Sequence, residues 1–543
     1  MATALELLRQ GRRHEIWKRY CGYLDLSLAE TMQIQERLLL EQLRLLGTSE
    51  LGRQLLGNRV PTTVEEFRQN VPFTTYYDYS QYFSEKREDV LPVKPLWWLH
   101  TSGRSGEYAF KWVPYTPQMV QRFGETCMAG LILASCSRKG EFVFEEGDTM
   151  LFALAPFPYV TGATARILET EFAFRYLPPT EAAEKMDFAT RIQEGFRLAL
   201  RDGIDAFYGT ASVLLRIGEQ FKQGSGSLKI SGYYLHPAII MRLLRAFVRS
   251  RMAGRNHLLP RDLWRVKCLG SGGTDASLFR KQIEEYWGRP CLEGYASTEG
   301  GAVAMQLWNG KAMTFFPDVN FLEFIPEAES IRSRTDSSFT PSTRTLDEVE
   351  PGQRYEVVLT NFLGGVFTRY RVGDLVEILA LGDEETGVQT PQVVFHARAD
   401  DIIDLASFTR LTEKVVWRAL ELSGLPYNDW SARKEYEGQQ VILRIYVEPK
   451  SADIDLESVR GRVSQALASV DPPYADLLSM LGYDPMRITL LSEGTFRRYY
   501  LARQAEGADL ARLKPAHMNA PESVITKLLE ASQLGEIVAC QTR

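Results

Sequence analysis

Cysteine is sparse and unpaired in this sequence. Six cysteines (Cys21, Cys127, Cys136, Cys268, Cys291, Cys540) are scattered over 543 residues, and none stands in a Cys-x-x-Cys spacing. That argues against a zinc knuckle or a disulfide framework. It fits thiols kept reduced in a cytoplasmic protein. The six histidines form no metal-ligand spacing, and no Ser-His-Asp arrangement is legible. No Lys/Arg-rich run stands out and the net charge is −6, so nucleic acid is not an expected partner. The best apolar run, "MAGLILASC", is far shorter than a membrane span. The opening "MATALELLRQGRRHEIW" has neither a long apolar block nor a small-residue cleavage site. No membrane association is expected, and a monomer is the working expectation.

Apolar residues make up 45% of the chain, with 27 Phe, 24 Tyr and 9 Trp, enough for a large packed core. The length suits about two to four domains. "SLAETMQIQERLLLEQLRLLG" has helical periodicity and ends at Gly47, a candidate C-cap. Between about residues 90 and 300, strands such as "TMLFALAPF" and "RVKCLGSGG" alternate with helices such as "MDFATRIQEGFRLALRDG" and "DASLFRKQIEEYWG". That alternation predicts an α/β architecture. Residues 328–345 are polar and turn-rich and read as a surface loop. Strands resume with "YEVVLTN" and "LVEILAL". After "FHARADDIID" the helices "TRLTEKVVWRALELSG" and "DLESVRGRVSQALASV" and the strands "QVILRIYVEP" and "MRITLLSEG" read as a small α+β domain. The expected division is a large domain over 1–398 and a small one over 399–543.

Four segments carry candidate chemistry. "HTSGRSGEYAFKWVP" (100–114) packs hydroxyls and glycines ahead of Lys111. In a Walker loop the lysine follows the last glycine directly and a helix comes next. Here Lys111 lies well downstream of Gly106 in an alternating, strand-like stretch, so the loop joins two strands. Amides of the loop, hydroxyls of Thr101, Ser102 and Ser105, and the cations Arg104 and Lys111 suit a phosphate; a polar hairpin with an exposed lysine is the plain alternative. "GYASTEGG" (294–301) offers a flat ring (Tyr295), a hydroxyl (Thr298) and a hard oxygen ligand (Glu299) in a glycine-bounded turn. In "TRYRVGDLVEI" (368–378), Val-Gly-Asp reads as a turn before a strand, and Asp374 has the acceptor oxygens a ribose diol needs. In "HARADDIID" (396–404), Arg398 is placed to clamp ribose or phosphate, with Asp400 at a candidate hinge. Each also reads as an ordinary turn or linker when taken alone.

In their order and wide spacing the four resemble the phosphate loop, Tyr-Gly-x-Thr-Glu, Thr-Gly-Asp and Gly-Arg-x-Asp-Asp-x-Ile motifs of the adenylate-forming superfamily. Within it the chain is most similar to the auxin-responsive acyl acid–amido synthetase family. The stretches behind that are "FRQNVPFTTYYDYSQYF", "FLEFIPEAE", "VEPGQRYEVVLTNFLGGVFTRYRVGD" and "LTEKVVWRALELSG". The likeness covers nearly the whole chain. Three departures stand out: Lys111 falls two residues late, Arg104 replaces the usual Ser or Thr, and the C-terminal lysine motif is loosely matched by "GADLARLKPAHMN". Lys514 is the candidate lysine, with Lys527 as the alternative.

The resemblance implies a large α/β domain and a smaller mobile α+β domain hinged at Ala399–Asp400. It implies an enzyme that uses ATP and Mg²⁺ to convert a carboxylic acid to an acyl-adenylate, then passes the acyl group to an amino-acid amine. Coenzyme A as acceptor, or a non-catalytic nucleotide-binding relative, are the rival readings. The implied nucleotide contacts are Thr101, Ser102, Gly103, Ser105, Gly106 and Lys111 for phosphates. Ser271, Gly272, Gly273, Tyr295, Ala296, Ser297 and Thr298 follow for the base and α-phosphate, and Asp374 and Arg398 for the ribose. Glu299 is the implied Mg²⁺ ligand, and Lys514, Thr298 and Glu299 the catalytic set. An acyl pocket is expected near "APFPYV" and "FYGTASVLL", with Tyr208, Gly209, Thr210 and Ser212 as substrate contacts. His100, beside the loop, is expected to be structural.

Overall fold

The computed structural model describes all residues except 1, 58, 101–110, 153–156, 187, 210, 223–234, 273–275, 337, 400–402, 407, 412, 451–454, 506–516 and 542–543. Two compact units result. Residues 1–101 with 111–400 form one, and residues 401–543 the other.

In the first unit the strands are β1 (Trp97–His100), β2 (Trp112–Tyr115), β3 (Thr149–Phe152), β4 (Arg175–Leu177), β5 (Ala206–Gly209), β6 (Cys268–Gly272), β7 (Leu292–Ser297), β8 (Gly301–Gln306), β9 (Met313–Phe315), β10 (Asn320–Pro326), β11 (Arg354–Asn361), β12 (Tyr370–Ala380) and β13 (Gln392–Arg398). β1 and β2 pair antiparallel, as the alternation on either side of the phosphate-loop candidate predicts. Among the described residues the others form an eleven-stranded sheet in the order β10-β11-β12-β13-β9-β8-β7-β6-β5-β3-β4. From β4 to β7 it is parallel, with helices between strands. From β7 to β10 it is antiparallel. Parallel strands need long crossovers, and helices Phe188–Asp202 and Ala276–Trp287 supply them where the sequence periodicity places them. The buried helix Pro117–Ser135 lies against β6 and β8.

Helix Leu28–Leu46 starts at a capping box in which Ser27 N–H donates to Glu30 Oε2 (2.8 Å) and Glu30 N–H to Ser27 Oγ (3.2 Å). Gly47 ends it, yet with a right-handed φ of −57°. Glycine is required there for space, since an added Cβ would lie 2.7 Å from Val60 Cγ2. Two buried glutamines dock this helix. Gln35 donates to Asn320 O (2.8 Å) and accepts from Leu322 N–H (3.1 Å). Gln42 donates to Gly365 O (2.7 Å) and accepts from Gly364 N–H (3.0 Å).

Two local expectations are corrected. Residues 327–335 form a helix, Glu327–Thr335, rather than a loop. Its Ser330 is buried against Glu356, a carboxylate also paired with Arg334 at 3.1 Å and with Arg371. Downstream, Thr343 donates to Glu323 Oε1 (2.7 Å), so this segment is held by buried polar bonds that its composition does not reveal. Val372-Gly373-Asp374 is no turn before a strand: it lies within β12. Between Arg371 and Leu375 the pairing to β11 spends four residues against two, a bulge that contains Gly373 at φ +82°.

The second unit has a hairpin, β14 (Ile403–Leu405) with β15 (Thr409–Leu411). Its sheet, in the order β16-β17-β18, is made of β16 (Tyr427–Glu437), β17 (Gln440–Pro449) and β18 (Met486–Leu490). β16 pairs antiparallel and β18 parallel with β17. Helices Glu413–Leu422 and Leu456–Val470 pack beside it over Leu443, Ile445 and Leu467. Near the C-terminus His517 stacks on Trp430 (centroids 4.6 Å apart, planes 14°). Its Nε2 lies 2.8 Å from Asp429 Oδ1, and its Nδ1 contacts Glu413.

The hydrogen bond to Asp429, and then that to Glu413, raise the His517 pKa above the ordinary value, against partial burial. A raised folded-state pKa stabilises the fold while the unfolded histidine is also protonated, and that contribution disappears as pH rises through the folded value. His517→Gln is therefore expected to lower the urea midpoint relative to the parent at about pH 5.5, and the difference should shrink by about pH 9. Equal differences at both pH values would show that the ion pairs contribute nothing.

Candidate active site

The parallel strands β5, β6 and β7 end on one edge of the sheet, the edge at which open α/β sheets hold ligands. Gly209 pairs with Ser271, and Gly272 with Gly294. The segments expected to meet the acid and the base are thus adjacent. Tyr208 pairs with Gly270, where an added Cβ would lie 2.8 Å from its ring, so that glycine makes room for the tyrosine. Ser271 is buried. Thr101, Ser102, Gly103, Ser105, Gly106, Thr210, Gly273, Asp400 and Lys514 lie outside the described residues, as does the side chain of Ser212. His100 is buried between Trp112 and Tyr159 (ring centroids 4.9 and 4.2 Å), a packing role.

The hairpin turn between β7 and β8 carries Thr298 and Glu299, both 7% exposed. Ser297 Oγ accepts from Gly300 N–H at 2.9 Å inside it, and Ala296 faces outward. Glu299 Oε1 accepts from the Tyr370 hydroxyl (2.9 Å) and lies 4.0 Å from Lys111 Nζ. Lys111 also sits 5.4 Å from the centre of the Tyr76 ring. Asp374, 5% exposed, pairs in register with Arg398 across β12 and β13. Its Oδ1 is 3.1 Å from Arg398 Nη1, and its Oδ2 accepts from the Tyr295 hydroxyl at 3.1 Å. A carboxylate has about four acceptor positions, so both groups keep capacity for a ligand.

These contacts form a crosswise latch. Tyr295 and Glu299 belong to one segment, Tyr370 and Asp374 to another, and each tyrosine holds the other segment's carboxylate. β7 and β12 are separated in the sheet by β8, β9 and β13. A flat sheet would put them roughly 19 Å apart, at about 4.8 Å per step. The side chains nevertheless meet, so the sheet is not flat between these strands. Burial first, and then the neighbouring carboxylate, pushes both phenols well above their ordinary pKa. They therefore stay neutral donors at any working pH. Sequence reasoning assigned Tyr295 to a base and missed Tyr370. The equal spacing of Y-x-x-x-E and Y-x-x-x-D was the available signal.

Among the described residues no three His, Cys, Asp or Glu side chains cluster as a metal cage. One carboxylate, Glu299, fits Mg²⁺, which keeps waters and substrate oxygens and needs few protein ligands. A small pocket of about 20 Å³, room for about one water, lies behind the turn, lined among others by Tyr115, Phe123, Gly301, Val319, Asn361 and Leu363. No helix among the described residues is long and apolar enough to cross a membrane.

The fold is similar to those of two solved ligases. A solved acyl acid amido synthetase, AtGH3.15 in complex with 2,4-DB, matches with a TM-score of 0.52 at 18% identity, over 95% of this chain and 96% of that one. 2-Hydroxyisobutyryl-CoA ligase, in complex with 2-HIB-AMP and CoA, matches with a TM-score of 0.56 at 15% identity, over 89% and 94%. Residues 23–166 match the GH3 family N-terminal domain and residues 313–398 the GH3 family central domain. Those two stretches are GH3-type domains by sequence. Curated relatives include a jasmonoyl–L-amino acid synthetase of Oryza sativa subsp. japonica, 27% identical over 229 residues (39% of this chain, 38% of that one). Another is the jasmonoyl–L-amino acid synthetase JAR4 of Nicotiana attenuata, 30% identical over 157 residues (28% and 25%). The aligned stretches thus span less than half the length of either relative.

Charge-assisted hydrogen bonds contribute about 1.5–3 kcal/mol, so Asp374→Asn is expected to weaken AMP binding by about tenfold to a hundredfold in isothermal titration. An unchanged affinity would remove Asp374 from the nucleotide site.

Proposed function

We propose that this protein is an ATP-dependent acyl acid–amido synthetase. It joins a carboxylic acid to an amino acid through an acyl-adenylate. The observation that carries the reading is the crosswise pairing of Glu299 with Tyr370 and Asp374 with Tyr295, beside Lys111 and Arg398, in a chain with GH3-type domains.

Asp374 and Arg398 orient the ribose, and the Ser271–Gly273 backbone lies against the base. The amides and hydroxyls of residues 101–106, with Thr298 and Lys111, hold the phosphates. Glu299 would hold Mg²⁺, which would supply positive charge against the triphosphate oxygens. A carboxylate oxygen of the acid then bonds to the α-phosphorus while the bond to pyrophosphate breaks. An anion attacking a polyanion needs positive charge placed where charge develops; Lys111 supplies part of it, and Lys514 is assigned the rest. In the second step a neutral amine attacks the acyl carbonyl, the bond to AMP breaks, and the nitrogen releases a proton to solvent. The acid is assigned to the stretch around Tyr208 and Gly209, whose strand lies beside Gly270 and Ser271.

A pyrophosphate-release screen over carboxylic acids, with and without amino acids or coenzyme A, tests the reading. Amino-acid-dependent AMP formation with an amide product is expected. Turnover driven by coenzyme A and by no amino acid would reassign the acceptor, and ATP binding without acid-dependent exchange would make the protein non-catalytic. In the same assay Lys514→Ala should lower exchange about a hundredfold or more, the scale of a lost transition-state donor.

A further inference from the structure

The turn that carries Glu299 is gripped from behind, one carbonyl at a time. The Tyr115 hydroxyl donates to Thr298 O (2.7 Å), Asn361 Nδ2 to Glu299 O (2.9 Å), and Asn320 Nδ2 to Gly300 O (2.7 Å). The three donors come from β2, β11 and β10, elements far apart in the chain. All three are at most 2% exposed. Asn361 Nδ2 also donates to Asn320 Oδ1 (2.9 Å), and Asn361 Oδ1 accepts from Phe367 N–H (3.1 Å). Its own N–H donates to Phe367 O at 2.8 Å. The side-chain amide is therefore fully committed, and it joins the Glu299 turn to the chain entering β12.

A hairpin turn on a protein surface leaves such carbonyls to water or to its own strands. Here three consecutive ones point inward, each to a buried side-chain donor. A peptide plane held at its oxygen cannot rotate, so the side chains of Thr298 and Glu299 can leave the turn only on the other side. There Glu299 meets Tyr370 and Lys111. With these carbonyls turned inward to their donors, the turn presents the Glu299 side chain to a cation.

We propose that Tyr115, Asn320 and Asn361 are positioning residues that aim the Glu299 carboxylate at the metal–triphosphate. This rests on the adenylating reading above. The effect belongs to metal affinity and not to recognition of the nucleoside, which Asp374 and Arg398 handle.

Tyr115→Phe removes one hydroxyl and nothing else. Asn361→Asp replaces a donor by an acceptor facing two oxygens. Mn²⁺ affinity would be measured by electron paramagnetic resonance in the presence of a non-hydrolysable ATP analogue, and AMP affinity by calorimetry. At about 1 kcal/mol per hydrogen bond, Tyr115→Phe should weaken Mn²⁺ binding roughly threefold to tenfold, and Asn361→Asp at least tenfold, with AMP affinity within about twofold. Should Asn361→Asp not fold, Tyr115→Phe decides alone. Unchanged Mn²⁺ affinity in folded variants overturns the proposal. So does a parallel loss of AMP affinity, which means general loosening. A raised KM for the acid with metal affinity intact also overturns it and ties the three residues to the acid instead. A parent protein that binds neither AMP nor the metal–analogue complex refutes the adenylating reading itself, a different outcome from all of these.

Discussion

Two carboxylates with almost no access to water set the terms for the rest of the first unit. An ionised carboxylate in that position is costly unless it is hydrogen-bonded and paired. Glu299 and Asp374 solve this in the same way, each with one phenol and one cation. A buried phenol donates a hydrogen bond and adds no charge, so it steadies the carboxylate without cancelling it. Full neutralisation by two close cations would leave nothing with which to attract a ligand. Because each phenol sits on the other carboxylate's segment, neither segment can shift alone. Whatever binds at one carboxylate is registered against the other.

Much of the surrounding scaffold keeps that latch in register. Arg369 precedes Tyr370 with φ +43°, a conformation most side chains avoid. It is held there by Glu323 (3.1 and 2.9 Å) and by the carbonyls of Arg68 and Val71. Breaking a buried pair of this kind costs about 3–5 kcal/mol, more than the local backbone strain it offsets. The bulge at Gly373 then resets the pairing so that Asp374 lies opposite Arg398. On the other side, Gln35 and Gln42 of helix Leu28–Leu46 fix both the start of β10 and the loop after β11, where Asn320 and Asn361 stand.

Local pattern made a good deal of this legible. The alternation of strands and helices, the antiparallel pair flanking residues 101–110 and the Glu299 turn all follow from periodicity and glycine placement. What escaped depends on tertiary neighbours. Residues 327–335 look like a loop by composition, and become a helix because Glu356 gathers Ser330 and Arg334. β16 was missed because "SARKEYE" holds three consecutive charged residues and no apolar alternation, and it becomes a strand with β17 beside it. Tyr115, Asn320 and Asn361 carry no motif of their own, and the spacing of Tyr370 to Asp374 points to no partner by itself. The partners of Tyr115, Asn320, Asn361 and Tyr370 lie 183, 20, 62 and 71 residues away, and only the strand order brings them together.

Among the described residues few acids stand near Glu299, and that has a physical consequence. A dedicated cation cage needs several carboxylates, and each would repel both a triphosphate and an incoming carboxylic acid. At 4 Å two unit charges interact by about 4 kcal/mol at an effective dielectric of 20. A second carboxylate beside Glu299 would therefore cost an anionic substrate several kcal/mol of approach. Holding one carboxylate in a fixed direction avoids that repulsion, because orientation then does what a larger negative charge would otherwise have to do. Tyr370 in front of Glu299, and the three donors behind its turn, are consistent with that trade. Lys111, 4.0 Å away, balances the charge of Glu299, which suits the anionic ATP and carboxylic acid of the proposed reaction.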